Sequence, residues 1–274
     1  MVYDYGTMAP FDPYELYDFS RPEAYEVSKL IELIKDYGRK ARTRANHPLA
    51  KAISSGRLSK WQLQRLAIED YAFLKNSPLW HAAMLLNIPD VDYQQLEATV
   101  LVPEVGESLF GISELPGHPE LFMRYCTLGL GLTEDEVLDG RILPTSILCT
   151  EQRLNLCKYG SIAESAGVIH IYGEALNIER ARQGAPSGGG AAVYPWINRE
   201  ALEYQRIHSL VEDEHGQVGV RLMEKYGVAK SVQDKVWLSL ITYVAAEEVR
   251  ADGIYGAYIL NCPQELGERV VIEE

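Results

Sequence analysis

The sequence predicts an all-α protein, a bundle of roughly seven or eight helices. Three observations predict it. Apolar residues recur at helical spacing along most of the chain. Helix-opening signatures punctuate it: Ser59-x-x-Gln62 and Thr133-x-x-Glu136 are capping boxes, and His47-Pro48 and His118-Pro119 set proline in a first turn. Strand signals are nearly absent. Asp252-Gly253, the one Asp-Gly before an apolar stretch, falls inside a helical pattern and makes no hairpin.

Taken in order, residues 1–20 are rich in Tyr, Asp and Pro and read as an extended arm, ahead of one helical domain over 21–274. Val27, Leu30, Ile31, Leu33 and Ile34 mark a helix within 22–42, and a short helix runs from Pro48 to Gly56. The Ser59 capping box opens a longer helix towards Leu86, which Pro78 should kink or split. A helix over Asp92 to about Leu101 precedes a loop, Pro103 to Gly117, and His118 opens the next helix, reaching about Leu128. Leu148 to Arg182 is helical, with breaks expected near Gly160 or Gly173, and Gly184 to Gly190 is a flexible loop. A long helix spans Asn198 to Tyr226, and the last spans Ser231 to about Ile259.

Composition narrows the function classes. The 274 residues are 47% hydrophobic, enough for a substantial core in one domain or at most two. A net charge of −13 with no basic patch argues against nucleic acid as partner. No apolar run approaches the roughly 18 residues of a membrane span, and no signal peptide is visible. Four cysteines without a C-x2-C pair argue against a zinc ribbon and fit a cytoplasmic protein with free thiols. G-x-S-x-G, P-loop and dinucleotide fingerprints are all missing, while a Cys–His nucleophile stays open.

The chemistry-bearing pattern is His208-x3-Glu212-x2-His215 in the long helix. Positions i, i+4 and i+7 project from nearly one side of a helix, so two imidazoles and a carboxylate point together. Iron, manganese and zinc accept such ligands. The bland alternative is a solvated acidic face around Glu212-Asp213-Glu214. Glu174 stands in an apolar stretch, where an unpaired carboxylate would be costly. Arg180 or Arg182 could pair with it, and His170, one turn earlier, is the competing ligand. Glu104 precedes the loop, with Glu107 and Glu114 as rivals, and His118 begins the next helix. Tyr71, His81, Tyr172 and Tyr204 are candidate pocket residues, with His81, Tyr172 and Tyr204 favoured for catalysis. Glu69-Asp70 are candidate supporting groups, and His47 reads as a cap or packing residue.

Residues 45 to 250 resemble the haem-oxygenase-like, all-α family, which includes pyrroloquinoline quinone synthase C, the thiaminase-II group and the haem-oxygenase-like di-iron oxidases. HPLAKAISSGRLSKWQLQRLAIEDYAFL, NSPLWHAAMLLNIPD, PEVGE with GHPELFMRYCTLGLGLTEDEV, and YPWINREALEYQRIHSLVEDEHGQVGVRLMEKY carry the resemblance. YPWI and EHG look most like the quinone synthase branch, the metal-type residues like the di-iron branch. Carried over residue by residue, the di-iron pattern implies Glu104, His118, Glu174, His208, Glu212 and His215 as metal ligands. Two departures are Glu212 where Asp is usual and a long gap from Glu104 to His118. The resemblance then implies two Fe(II) ions, with manganese allowed in one position, O2 as co-substrate, a small organic substrate, an external electron donor and a homodimer. The outcome would be amine N-oxygenation, C–C cleavage or desaturation. The rivals are a cofactorless oxidase of the quinone synthase type and a non-catalytic helical module that binds a metal or small ligand.

Overall fold

The structure, a computed structural model, describes residues 12–41, 47–176, 193–267 and 269–271, with backbone alone for 208–214. Its described residues form eleven helices and no strand. These are α1 (Val27–Lys40), α2 (Pro48–Ser54), α3 (Lys60–Leu74), α4 (Ser77–Asn87), α5 (Val91–Val105) and α6 (His118–Arg124). There follow α7 (Glu134–Leu138), α8 (Pro144–Tyr159), α9 (Ile162–Ser165), α10 (Glu203–Tyr226) and α11 (Lys230–Ile254). Three of them widen into π-helical turns: α6 over Tyr125–Gly129, α9 over Ala166–Ala175 and α11 over Tyr255–Leu260.

The helix count exceeds expectation because proline and caps cut segments that apolar spacing joins. α3 and α4 separate where Asn76 donates its side-chain amide to the carbonyls of Ala72 and Phe73, at 2.9 and 3.4 Å. Pro78 then sits in the first turn of α4, where no N–H is needed. α8 ends at Gly160, and a third capping box, Ser161 with Glu164, restarts the chain as α9. α5 runs on through Pro103 to Val105, so Glu104 belongs to a helix end and not to a loop. Both expected capping boxes form, and His47 Nδ1 caps α2 by accepting from the Leu49 N–H at 2.9 Å.

The expected extended arm behaves differently from residue 12 onward. Tyr17 is buried and stacks on Trp237 of α11 with centroids 4.9 Å apart. Its hydroxyl donates to Asp234 at 2.8 Å, and Arg21 lies over the Tyr17 and Tyr25 rings while pairing with Asp234 at 3.2 Å. Tyrosine and arginine attach this segment to the body because each buries an apolar surface and satisfies a polar tip.

Two apolar clusters make the core. One gathers α1, α4, α8, α9, α10 and α11 around Trp80, Ile169, Leu222 and Trp237. The other gathers α2, α3, α6 and the last π turn around Leu66, Leu121, Phe122 and Ile259. Buried histidines lie beside both: His81 and His170 adjoin members of the first, and His118 adjoins Tyr204 of the second. α10 and the π segment of α9 touch at a glycine. A Cβ on Gly219 would collide with the Cβ of His170, so only glycine lets α10 lie against this histidine.

Candidate metal centre

α4 and α5 carry the first half of the site as two rungs. Ser77 and His81 stand one turn apart on α4, and Glu97 and Glu104 two turns apart on α5, so each pair shares a face. Across the helices, the Ser77 hydroxyl donates to Glu104 Oε2, and His81 Nδ1 donates to Glu97 Oε1 at 2.9 Å. His118, at the start of α6, donates from Nδ1 to Glu104 Oε1 at 2.8 Å. Both oxygens of Glu104 are thereby fixed.

The long gap between Glu104 and His118 closes at two glycines. Gly106 has φ +112°, and a Cβ on it would lie 2.7 Å from the backbone nitrogen of Gly117. A side chain fits neither that dihedral nor that space, so the chain returns beside its starting point. Residues 107–116 bulge outward. There Glu107 accepts from the Ser113 hydroxyl at 2.5 Å and Glu114 is exposed, so the buried partner of His118 is Glu104.

The π segment of α9 supplies His170 and Glu174. Four residues apart on this segment, the two side chains share a face. His170 Nδ1 donates to Glu174 Oε2 at 2.7 Å, and its Nε2 to Glu97 Oε2 at 2.9 Å. His81 Nε2 lies 3.7 Å from Glu174 Oε1. Glu97, His170, Glu174 and His81 therefore form a closed ring with every ring nitrogen turned to a carboxylate. His215 on α10 is buried nearby. His208 and Glu212 share its helix two turns and one turn earlier, and their side chains lie outside the described residues. Arg180, Arg182 and the loop 184–190 also lie outside the described residues.

The electrostatics follow from burial against pairing. Burial opposes ionisation of Glu174, yet the His170 charge and hydrogen bond outweigh it and hold the carboxyl down at about 2. Burial likewise disfavours charge on His170, but Glu97 and Glu174 overcome it and raise the imidazole to about 10. Glu97 is held below its usual range against its burial, mainly by His170. His118 is raised by Glu104 against the pull of burial. His215 goes the other way: burial lowers it, and Glu174 and Glu104 only partly compensate.

Some expected site residues lie elsewhere. Tyr172 stands two residues from both His170 and Glu174 and faces the opposite side of the segment. It donates to Glu247 of α11 at 2.6 Å and packs edge-on against Tyr243. Tyr71 packs against the second apolar cluster. Glu69 accepts from the Leu143 N–H at 3.0 Å and the Tyr258 hydroxyl at 2.7 Å, and Asp70 pairs with Arg250 at 2.6 Å, so this acidic pair joins α3 to its neighbours. Tyr204 does reach the cluster, edge-on to His118 at 5.9 Å. His81 is part of the ring itself. Glu97 escaped sequence reasoning. The signal available was an acid in the apolar stretch of α5, seven residues before Glu104 and so on its face.

Comparison with known proteins places this geometry in a family. The sequence profile of the TENA/THI-4/PQQC family matches residues 35–215. No curated protein matches the chain. Among solved structures, a Shewanella denitrificans domain of unknown function with a heme oxygenase-like fold superposes with TM-score 0.65 at 13% identity, covering 85% of this chain and 94% of that one. A TenA homologue from Pseudomonas syringae pv. tomato gives TM-score 0.64 at 13% identity, covering 88% and 96%. A TenA homologue from Pyrococcus furiosus gives 0.54 at 19% identity, covering 84% and 100%. These identities speak for the fold alone. The chain belongs to the TENA/THI-4/PQQC family and has a haem-oxygenase-like fold.

Proposed function

We propose that this protein is a non-haem di-iron oxidase or oxygenase that uses O2 to oxidise a small organic substrate. The observation that carries the reading is the convergence of buried Glu104, His118 and His215 with the largely buried Glu174 from four helices. His208 and Glu212 extend the same helical stripe. Carboxylates and imidazoles suit iron or manganese, and the donor set fits: two acids held in fixed orientation and a His215 whose environment favours the neutral, metal-binding form. A bound iron pair would supply O2 binding and reduction. The chain's own residues do the rest. Ser77 and His118 orient Glu104, His170 orients Glu174, and the buried surroundings exclude water. Tyr204, edge-on to His118, is the polar side chain assigned to the substrate. N-oxygenation, C–C cleavage and desaturation all fit, and an external electron donor supplies reducing equivalents where the outcome requires them.

Thiol chemistry gains no support from Cys126, Cys157 or Cys262. Burial pushes Cys126 and Cys157 up to about 12 and raises Cys262, leaving a negligible thiolate fraction. A second reading, a metal-free oxidase of the quinone synthase type, draws on the family match and on the chain of hydrogen bonds from His81 through Glu97 and His170 to Glu174, which forms without an ion. Anaerobic iron loading followed by mixing with O2 separates them. The di-iron reading expects iron uptake and O2 consumption that fall at least tenfold in Glu174→Ala. Full activity after chelation would establish the metal-free alternative instead.

A further inference from the structure

We propose that His81, Glu97 and His170 form a further cation position, built for one divalent first-row transition ion and separate from the Glu104–His118 side of the cluster. The three side chains come from α4, α5 and the π segment of α9, and each is at most 1% exposed. One donor atom from each lies within 4.8 Å of the other two. Glu97 presents one oxygen to His81 Nδ1 and the other to His170 Nε2, both at 2.9 Å.

The outer nitrogens decide between an ion site and an ordinary polar network. A metal-bound histidine typically donates its second ring N–H to a carboxylate, which fixes its orientation and tautomer. His170 has that partner here, and the same residue faces the second nitrogen of His81 beyond hydrogen-bond distance. Glu174 accepts from His170 Nδ1 at 2.7 Å and faces His81 Nε2 at 3.7 Å. A network that served only to satisfy Glu97 needs two donors. It would not need imidazoles whose remaining nitrogens require a second buried acid. The π-helical segment that aligns His170 with Glu174 is itself a rare local structure, found mostly at functional sites.

Two imidazoles and a carboxylate suit zinc, iron or manganese, whereas magnesium and calcium prefer oxygen alone. On binding, His170 gives up the Nε2 proton and keeps Nδ1–H on Glu174. His81 moves its proton from Nδ1, where it donates to Glu97, to Nε2, towards the same acid. One proton leaves as the ion enters. The site stands apart from the oxidase proposal, though Glu174 connects the two.

Cobalt(II) is the probe. Bound cobalt would be counted by elemental analysis, and its visible absorption recorded, in wild type, Glu97→Gln, His81→Asn and His118→Ala, with thermal melts to verify folding. Wild type should bind one equivalent more than Glu97→Gln or His81→Asn, and His118→Ala should keep that equivalent and its absorption. Should Glu97→Gln fail to fold, His81→Asn carries the comparison. Wild-type stoichiometry in both variants overturns the site and shows a proton network only. If iron-loaded His118→Ala also loses O2 consumption, that failure leaves the oxidase proposal standing.

Discussion

Tyr172 and Tyr204 are both tyrosines within reach of metal-type residues in sequence, and side-chain direction separates their roles. Tyr172→Phe removes a buried hydroxyl that donates to Glu247, a bond to a charged acceptor worth about 1.5–3 kcal/mol. The variant should melt lower and take up wild-type amounts of metal. Thermal melts with elemental analysis check this, and a metal content that falls while the melt stays put would place Tyr172 at the site after all. The family resemblance singled out Glu104, His118 and Glu174 in the sequence, and helical spacing singled out the His208-Glu212-His215 stripe. Glu97 was not legible. Its partners lie 16 and 73 residues away, so its role appears only when α4, α5 and α9 pack. His170 was legible as a rival to Glu174, and their i, i+4 spacing carried the local signal of a contact.

At the scale of elements, glycine positions the site. Gly106→Ala places a methyl against Gly117 and forces an unfavourable dihedral, which should destabilise the protein by about 1–3 kcal/mol. Because Glu104 and His118 flank that closure, metal affinity should fall as well. A denaturant midpoint and a metal titration measure the two effects, and an unchanged affinity would detach the closure from the site. Gly219→Ala should cost a similar 1–3 kcal/mol by driving α10 off His170. The capping box of α9 gives a pH test away from the cluster. Burial would raise Glu164, but hydrogen bonds from the Ser161 N–H and the Ser239 hydroxyl prevail and hold it below its ordinary 4.5. A depressed carboxyl stabilises the fold above its unfolded pKa and loses that effect as pH falls. Urea midpoints should therefore drop below pH 4.5 in wild type and drop less in Glu164→Gln. Parallel profiles would remove Glu164 from the acid limb. The sequence predicted α1, α2, α10 and α11 closely, since strong apolar periods and caps are local. The π turns were illegible, because a widened turn keeps nearly the same apolar pattern and is decided by packing.

Over the whole molecule, the all-α class was readable because periodicity runs through most of the chain, and no described helix is long and apolar enough to cross a membrane. The division of the core into two apolar clusters with charged groups beside both was not readable, since it depends on which faces meet. Buried acids and histidines there should couple the ion to stability. A ligand that binds only the folded state adds about 2.7 kcal/mol at one hundred times its dissociation constant. Ferrous or manganous ions should accordingly raise the melting temperature, chelator should reverse the rise, and no shift would argue against a resident metal. The most direct measurement is O2 consumption by protein loaded with ferrous iron in the absence of air, wild type beside His118→Ala. Wild type should take up iron and consume O2 on mixing, and the variant should lose O2 consumption at least tenfold. Wild type that takes up no iron, or a variant that consumes O2 at the wild-type rate, would contradict the di-iron assignment.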